Sequence, residues 1–138
     1  MKTVASVLLG LVGVLHLVPT LGVLSAARLE GMYGVGIDGG DLATLMRHRA
    51  VLFGIAGGVM LLGAIRDQYR TLGLVVGFVT TVSFVALAWL EGAAGAEVRR
   101  VALADTVGVA MLALAVVLDR LASRSRESAA AIPGSGAP

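Results

Sequence analysis

The sequence predicts an all-α membrane protein, a four-transmembrane-helix bundle in up-down-up-down order. Of its 138 residues 57% are hydrophobic and only 14% are charged, whereas an ordinary soluble domain is about 25% charged. The apolar residues fall into four runs, each near the roughly 20 residues that cross a hydrocarbon core as a helix. Because these runs lack strict polar–apolar alternation and are rich in Leu and Ala, helices are expected rather than strands.

The first helix is expected at about 3–24, where the apolar run is interrupted only by His16 and Pro19. Proline removes a backbone hydrogen bond, so it is expected to kink the helix. The residues Ser25, Ala26 and Ala27 would also suit cleavage of a signal peptide. The run is longer than the roughly 7–15 residues of a signal core, which favours a membrane helix that is retained.

The second helix decides where several charged residues lie. Its apolar run, 50–65, is too short to cross the core. The helix reaches spanning length if it begins near Asp41, a good N-cap residue, and it is then expected at about 42–65. That start draws Arg47, His48 and Arg49 into the edge of the membrane.

The third and fourth helices are expected at about 71–90 and 100–118, within a transmembrane domain of residues 1–122. The segment 25–40 is expected to be a loop, and 123–138 a disordered tail. Three pairs of small residues at four-residue spacing are typical of close helix packing in membranes: Gly54 with Gly58, Gly73 with Gly77, and Ala104 with Gly108.

The distribution of Lys and Arg predicts the orientation. Lys2, Arg66, Arg70, Arg120, Arg124 and Arg126 lie on the side of the N-terminus, against Arg28, Arg47, Arg49, Arg99 and Arg100 on the other. With Arg47 and Arg49 inside the membrane, the positive-inside rule places both termini in the cytoplasm. We therefore expect a multi-pass protein of the inner (plasma) membrane. Its net charge of +2 does not indicate nucleic-acid binding, because the arginines flank apolar runs instead of clustering with aromatic residues.

Several ionisable residues lie within the predicted spans or at their outer edge, in the outer leaflet half of the bundle. They form a candidate polar pocket: His16, Arg47, His48, Arg49, Glu91 and Asp105. Charges inside a bilayer cost about 2.5–3.5 kcal/mol each on insertion scales, so they are expected to pair or to face a wet cavity. Helical periodicity favours an inward Arg47 paired with Asp105, with Arg49 reaching the head groups or Glu91.

Each of these residues also has a structural interpretation. The arginines can extend their side chains to the interface, and Asp105 can be an ion-pair partner that fixes helix register. His16 can be a hydrogen-bonded histidine at the kink. The chain has no cysteine, and its two histidines do not fall in a metal-ligand spacing. We therefore predict no metal and no cofactor, and no catalytic residue is assigned.

A resemblance adds to this reading. The stretch from Leu45 to Gly54 (LMRHRAVLFG), with Tyr33 and Gly34 upstream and RRVALAD ending at Asp105 downstream, resembles a family of small bacterial four-span proteins grouped with DoxX-like proteins. The resemblance covers about residues 1–120 and implies a four-helix membrane fold without an established activity. Some similar chains bear the name phosphopantetheine adenylyltransferase, a soluble α/β enzyme with an H-x-G-H type phosphate site. This sequence lacks that motif.

The leading functional hypothesis is an accessory, non-enzymatic membrane protein whose polar pocket holds a small or lipid-like ligand or docks a partner subunit. The alternative is a membrane-embedded enzyme acting on a quinone- or isoprenoid-like lipid. In that enzyme His16 or His48 would transfer protons, a carboxylate would orient the histidine, and Arg47 would hold an anionic group. A channel or transporter is a third class, which a chain of this length would form only as an oligomer. The lipid bilayer is the expected surrounding, and a homo-oligomer stays open.

Overall fold

The computed structural model describes residues 2–37, 39–92 and 95–130. Within them the chain forms five helices and no strand: α1 (Lys2–Leu17), α2 (Ala26–Tyr33), α3 (Gly40–Ile65), α4 (Arg70–Leu90) and α5 (Ala96–Ala130). Four segments are long and apolar enough to cross a membrane: Lys2–Leu24, Gly40–Ile65, Asp67–Leu90 and Ala96–Ser125. The predicted all-α four-helix bundle is confirmed.

The four long helices alternate in direction and form a ring, in which α1 packs on α3, α3 on α4, α4 on α5, and α5 on α1. The side chains of Leu9, Val12, Met60 and Leu112 meet in its centre with no exposed surface. Only 22% to 28% of the most apolar window of each span is buried inside the bundle. The remaining apolar surface faces outward, where lipid is the environment that satisfies it.

Close packing of α1 on α3 depends on a glycine that the predicted spacing did not single out. A Cβ atom at Gly57 would lie 2.8 Å from the backbone oxygen of Gly13, so only glycine allows the two backbones this approach. Gly54, by contrast, faces Thr20, and a Cβ atom at Gly58 would meet nothing within 4 Å. The second of the two small residues in that predicted pair therefore lies outside the helix contact.

The start of α3 follows the prediction, whereas the first predicted helix is α-helical only as far as Leu17. α3 begins at Gly40 and runs for 26 residues, which gives the second helix its spanning length. α1 ends at Leu17, and the chain continues as a 3-10 helix over Pro19–Leu24. The backbone thus changes its hydrogen-bonding pattern where proline cannot donate.

The segment predicted as a loop contains α2, which corrects that prediction. Ser25 caps the helix by accepting a hydrogen bond from the Arg28 N–H (3.3 Å), and Gly34 ends it at a φ of 64°. Leu29 and Tyr33 lie one turn apart and are buried, so they fasten α2 to the bundle. The stretch forms a helix because Leu29 and Tyr33 pack against apolar residues of the bundle.

The tail differs from its prediction as well. α5 continues to Ala130, so residues 123–130 are helical where disorder was expected. Ser123 and Ser125 donate hydrogen bonds to the carbonyl oxygens of Asp119 and Leu121, both at 3.0 Å. Each hydroxyl thus shares a carbonyl oxygen four residues earlier in the helix, which satisfies the serine side chain within the helical conformation. The predicted disorder of residues 131–138 lies outside the described residues.

Candidate functional site

The guanidinium of Arg49 lies among three aromatic rings at the α2 end of the bundle, the end at which α2 packs and α3 begins. Its Cζ atom is 5.0 Å from the ring centroid of Tyr33, 5.3 Å from that of Phe53 and 5.0 Å from that of Phe84. Tyr33 belongs to α2, Phe53 follows Arg49 by one turn of α3, and Phe84 belongs to α4. Three elements thus build the Arg49 cage, defined by Arg49 and these three rings. Each cation–π contact contributes about 0.5–2 kcal/mol.

The described residues supply the cage with neither an ion pair nor a hydrogen-bond acceptor for Arg49. The nearest acidic influence is Asp105 on α5, whose carboxylate interacts electrostatically with the Arg49 charge. The ion pairs in the described part of the chain do not include one between Arg49 and Asp105, so the nearest nitrogen and oxygen atoms of their side chains are more than 4 Å apart. The half-buried guanidinium therefore keeps its N–H donors uncommitted.

The predicted pair between Arg47 and Asp105 is wrong. Arg47 is exposed, whereas Arg49 is half-buried and is the arginine whose charge acts on Asp105. The physical reason is the aromatic cage, because three rings stabilise a cation on the face of α3 that carries Arg49. One of these rings is Tyr33, which comes from the segment predicted as a loop.

His16 is buried, with 3% of its surface exposed, and both ring nitrogens have partners. Nδ1 lies 3.0 Å from the backbone oxygen of Val12, and Nε2 lies 3.1 Å from the hydroxyl oxygen of Thr80. A carbonyl only accepts, so Nδ1 carries the proton, and in the neutral ring Nε2 is an acceptor. The single proton of the Thr80 hydroxyl is then shared between Nε2 and the backbone oxygen of Val76, which lies 2.8 Å from the hydroxyl oxygen. The Phe53 ring lies 5.5 Å from the imidazole, centroid to centroid. The imidazole thus links α1 to α4 and borders the cage.

The structure divides the six predicted pocket residues into two groups. His16, Arg49 and Asp105 lie near one another around Phe53 and Tyr33. The other three are exposed, and among the described residues no ion pair joins them to this group: Arg47, His48 and Glu91. A role for any of the six in binding or catalysis stays a prediction.

Two hollows adjoin the cage. A groove of about 460 Å³ between α3 and α4 is lined by Arg49, Leu52, Phe53, Thr80, Ser83, Phe84 and Leu87. A cavity of about 250 Å³ lies on the other side of Phe53, and its polar lining comes from His16, Tyr33 and Asp105. Neither the Tyr33 hydroxyl nor the Asp105 carboxylate has a hydrogen-bond partner among the described residues. Phe53 is the side chain that lines both the groove and the cavity.

The pKa of the Tyr33 phenol responds to the charges of both Arg49 and Asp105. Burial raises its pKa, because the phenolate is removed from water, and the two charges then act in opposite directions. Arg49 lowers the pKa of Tyr33, while Asp105 raises it. Tyr33 therefore lies within electrostatic reach of both residues.

An ion-pair network at the opposite end of the bundle was missed by the sequence reading, which took Arg70 for a flanking charge. Arg70 is only 6% exposed, and its guanidinium contacts Asp67 at 2.5 Å and Asp119 at 3.4 Å. Asp67 also pairs with Lys2 at 3.3 Å. The order of the helices could have predicted this network, because it brings the start of α1, the α3–α4 hairpin and the end of α5 to the same end of the bundle.

Neither a metal-binding cluster in the described part of the chain nor a known relative indicates the function of this site. Among the described residues, no group of three or more His, Asp or Glu side chains is placed to hold a metal ion. The resemblance to DoxX-like proteins stays a prediction. Comparisons of the chain with protein-family models, with curated proteins and with solved structures found no significant match.

Proposed function

We propose that this four-span protein binds an amphiphilic ligand at the α2 end of the bundle. The polar head of the ligand contacts Arg49, and its apolar part occupies the groove between α3 and α4. The observation that carries the proposal is the half-buried Arg49 guanidinium, which three aromatic rings hold in place while its N–H donors find no acceptor among the described residues. Binding would be the role of the site, with no reaction required.

The energetics of a charge in a bilayer support this assignment. A cation within the membrane costs a few kcal/mol on insertion scales, and cation–π contacts offset part of that cost. Acceptor oxygens from a ligand would satisfy the guanidinium further, since hydrogen bonds to charged groups are the stronger ones. The groove volume of about 460 Å³ falls within the range of about 300–1,000 Å³ that is typical of small-molecule sites.

The route of entry follows from the lining of the groove. Leu52, Phe84 and Leu87 contribute apolar surface beside Arg49, while Thr80 and Ser83 contribute hydroxyl groups. The groove lies on the outside of the bundle between two spans. A ligand would thus enter sideways from the lipid phase.

The test is retention of the native ligand. Protein purified in mild detergent is examined by native mass spectrometry, and the bound molecule is extracted from the wild type, from Arg49→Gln and from Arg47→Gln. We expect the wild type and Arg47→Gln to retain the same amphiphile and Arg49→Gln to lose it. Arg47 is the matched control because it lies two residues away on α3 and is exposed. Equal retention by both variants would overturn the proposal.

A membrane-embedded enzyme is the second candidate, and the cavity shared by His16, Tyr33 and Asp105 is the observation in its favour. Proton transfer through His16 would first have to break its bond to Val12 or to Thr80. The two candidates differ in what a blocked variant accumulates. If the site performs a reaction, Asp105→Asn would accumulate a molecule that the wild type converts into a different compound on incubation; if the site only binds, the wild type would leave every lipid that either protein retains unchanged.

We also propose that both termini face the cytoplasm. The described cationic residues at the end of the bundle opposite α2 are Lys2, Arg66, Arg70, Arg120 and Arg124, against Arg28, Arg99 and Arg100 outside the spans or at a span edge at the α2 end. With Arg47 and Arg49 counted inside the span Gly40–Ile65, the positive-inside rule favours the cytoplasm for the first group. The chain has no cysteine, so single cysteines at Ser125 and at Gly36 give a clean labelling test in intact cells. Labelling of the cysteine at Ser125 by an impermeant reagent would contradict a cytoplasmic C-terminus.

A further inference from the structure

We infer that the head group bound at the Arg49 cage is zwitterionic, with a phosphate that contacts Arg49 and an ammonium group that points to Asp105. The inference rests on the proposed function and names the class of its ligand. It follows from the way in which two opposite charges stand near each other without touching.

The geometry places one unmatched group of each sign around the same aromatic side chains. Arg49 lines the groove, and Asp105 lines the cavity on the other side of Phe53. The Tyr33 ring is 5.0 Å from the Arg49 guanidinium and lines the cavity together with Asp105. Neither charge has an ion-pair partner within 4 Å in the described part of the chain. A head group that spans the two would meet both.

Charge balance selects the class of head group. Arg49 and Asp105 together carry no net charge, so an anionic head would neutralise Arg49 and leave Asp105 uncompensated. A cationic head would leave Arg49 uncompensated, and an uncompensated charge in a membrane interior is costly. A zwitterion supplies one counter-charge to each residue and brings no net charge into the bilayer.

The surrounding side chains suit both halves of such a head. Arginine binds phosphate oxygens through several N–H groups, and the donors of Arg49 have no acceptor among the residues that the structure describes. The faces of Tyr33 and Phe53 border the Asp105 cavity, and an ammonium group is attracted to aromatic faces as well as to a carboxylate. The Tyr33 hydroxyl is one further hydrogen-bond partner in that cavity.

The source of this head group is a membrane phospholipid and not a free solute. The groove beside Arg49 is walled by Leu52, Phe84 and Leu87, which offers contact area to an acyl chain and little to a small polar molecule. Phosphatidylethanolamine has the required head, and phosphatidylglycerol of the same chains has the phosphate without the ammonium group.

The experiment titrates the delipidated full-length protein in detergent with these two lipids and measures bound lipid by native mass spectrometry. The wild type should prefer phosphatidylethanolamine by about tenfold, the ratio expected from one charge-assisted contact. Asp105→Asn should bind both lipids about equally, and Arg49→Gln should lose both. Glu91→Gln removes a carboxylate that is exposed and outside the site, so it should keep the preference.

A second measurement on the wild type keeps the inference testable if Asp105→Asn does not fold. N-acetyl phosphatidylethanolamine has the same phosphate but no ammonium charge, and it should bind about tenfold more weakly than the parent lipid. O-phosphoethanolamine, the soluble head alone, should not compete with the lipid. Equal or tighter binding of phosphatidylglycerol or of the acetylated lipid overturns the zwitterionic head, while loss of lipid in Arg49→Gln would still support the proposed function. Effective competition by O-phosphoethanolamine overturns the lipid source.

Discussion

Replacing Gly57 by alanine should destabilise the packing of α1 on α3, and the neighbouring Gly58 provides a matched control. A Cβ atom at Gly57 would lie 2.8 Å from the backbone oxygen of Gly13 and 3.0 Å from a methyl carbon of Leu17. The backbone oxygen moves only if the two helices separate, so Gly57→Ala carries an overpacking cost of about 1–3 kcal/mol. A Cβ atom at Gly58 would meet nothing within 4 Å.

The gain in helix propensity from Gly to Ala, at most about 1 kcal/mol, is common to Gly57→Ala and Gly58→Ala and cancels between them. The free energy of unfolding of the two variants should therefore differ by about 1–3 kcal/mol, with Gly57→Ala the less stable. Reversible unfolding in mixed micelles of mild detergent and dodecyl sulfate, followed by far-UV circular dichroism, measures this difference. Equal stability of the two variants would refute the close approach of α1 to α3.

Two further predictions concern charges at opposite ends of the bundle. Asp119→Asn removes one of the carboxylates that neutralise the buried Arg70, and because the Asp119 side chain is 26% exposed the loss should be about 1 kcal/mol in the same unfolding assay. Stability equal to that of Arg66→Gln, which alters an exposed charge, would contradict this expectation. Tyr33, as the single tyrosine of a variant, should ionise above the usual pKa of about 10. Burial stabilises its protonated form, so this contribution to stability is complete below pH 10 and is lost as the pH rises through the folded pKa. Asp105→Asn should lower that pKa in an ultraviolet titration, and an unchanged value would show that Asp105 does not act on the phenol.

The spans were predictable because their cause is local in the sequence. A run of apolar residues of sufficient length is nearly a complete specification of a membrane helix. The extension of the second helix to Gly40 followed from the same length requirement. α2 escaped prediction because its eight residues carry only Leu29 and Tyr33 as a buried face, and whether such a short helix forms is decided by the surface it meets.

The candidate site was predicted in part for a related reason. Its location at one end of the bundle came from the depth of the polar residues, which the order of the helices determines. The choice between Arg47 and Arg49 depended on which face of α3 meets aromatic rings, and two of those rings, Tyr33 and Phe84, come from other elements. Sequence periodicity identifies a face but does not identify what packs against it.

Among the arginines whose burial the structure describes, the two that are not exposed differ in what surrounds them. Arg70 is nearly inaccessible and is held by Asp67, by Asp119 and by the backbone oxygen of Lys2, so the chain itself supplies its counter-charges. Arg49 lines the groove, and in the described part of the chain it contacts aromatic rings and no counter-ion. Rings stabilise a cation without using up its hydrogen-bond donors. The first arrangement stabilises the bundle, and the second supports the proposed contact between Arg49 and an acceptor from a ligand.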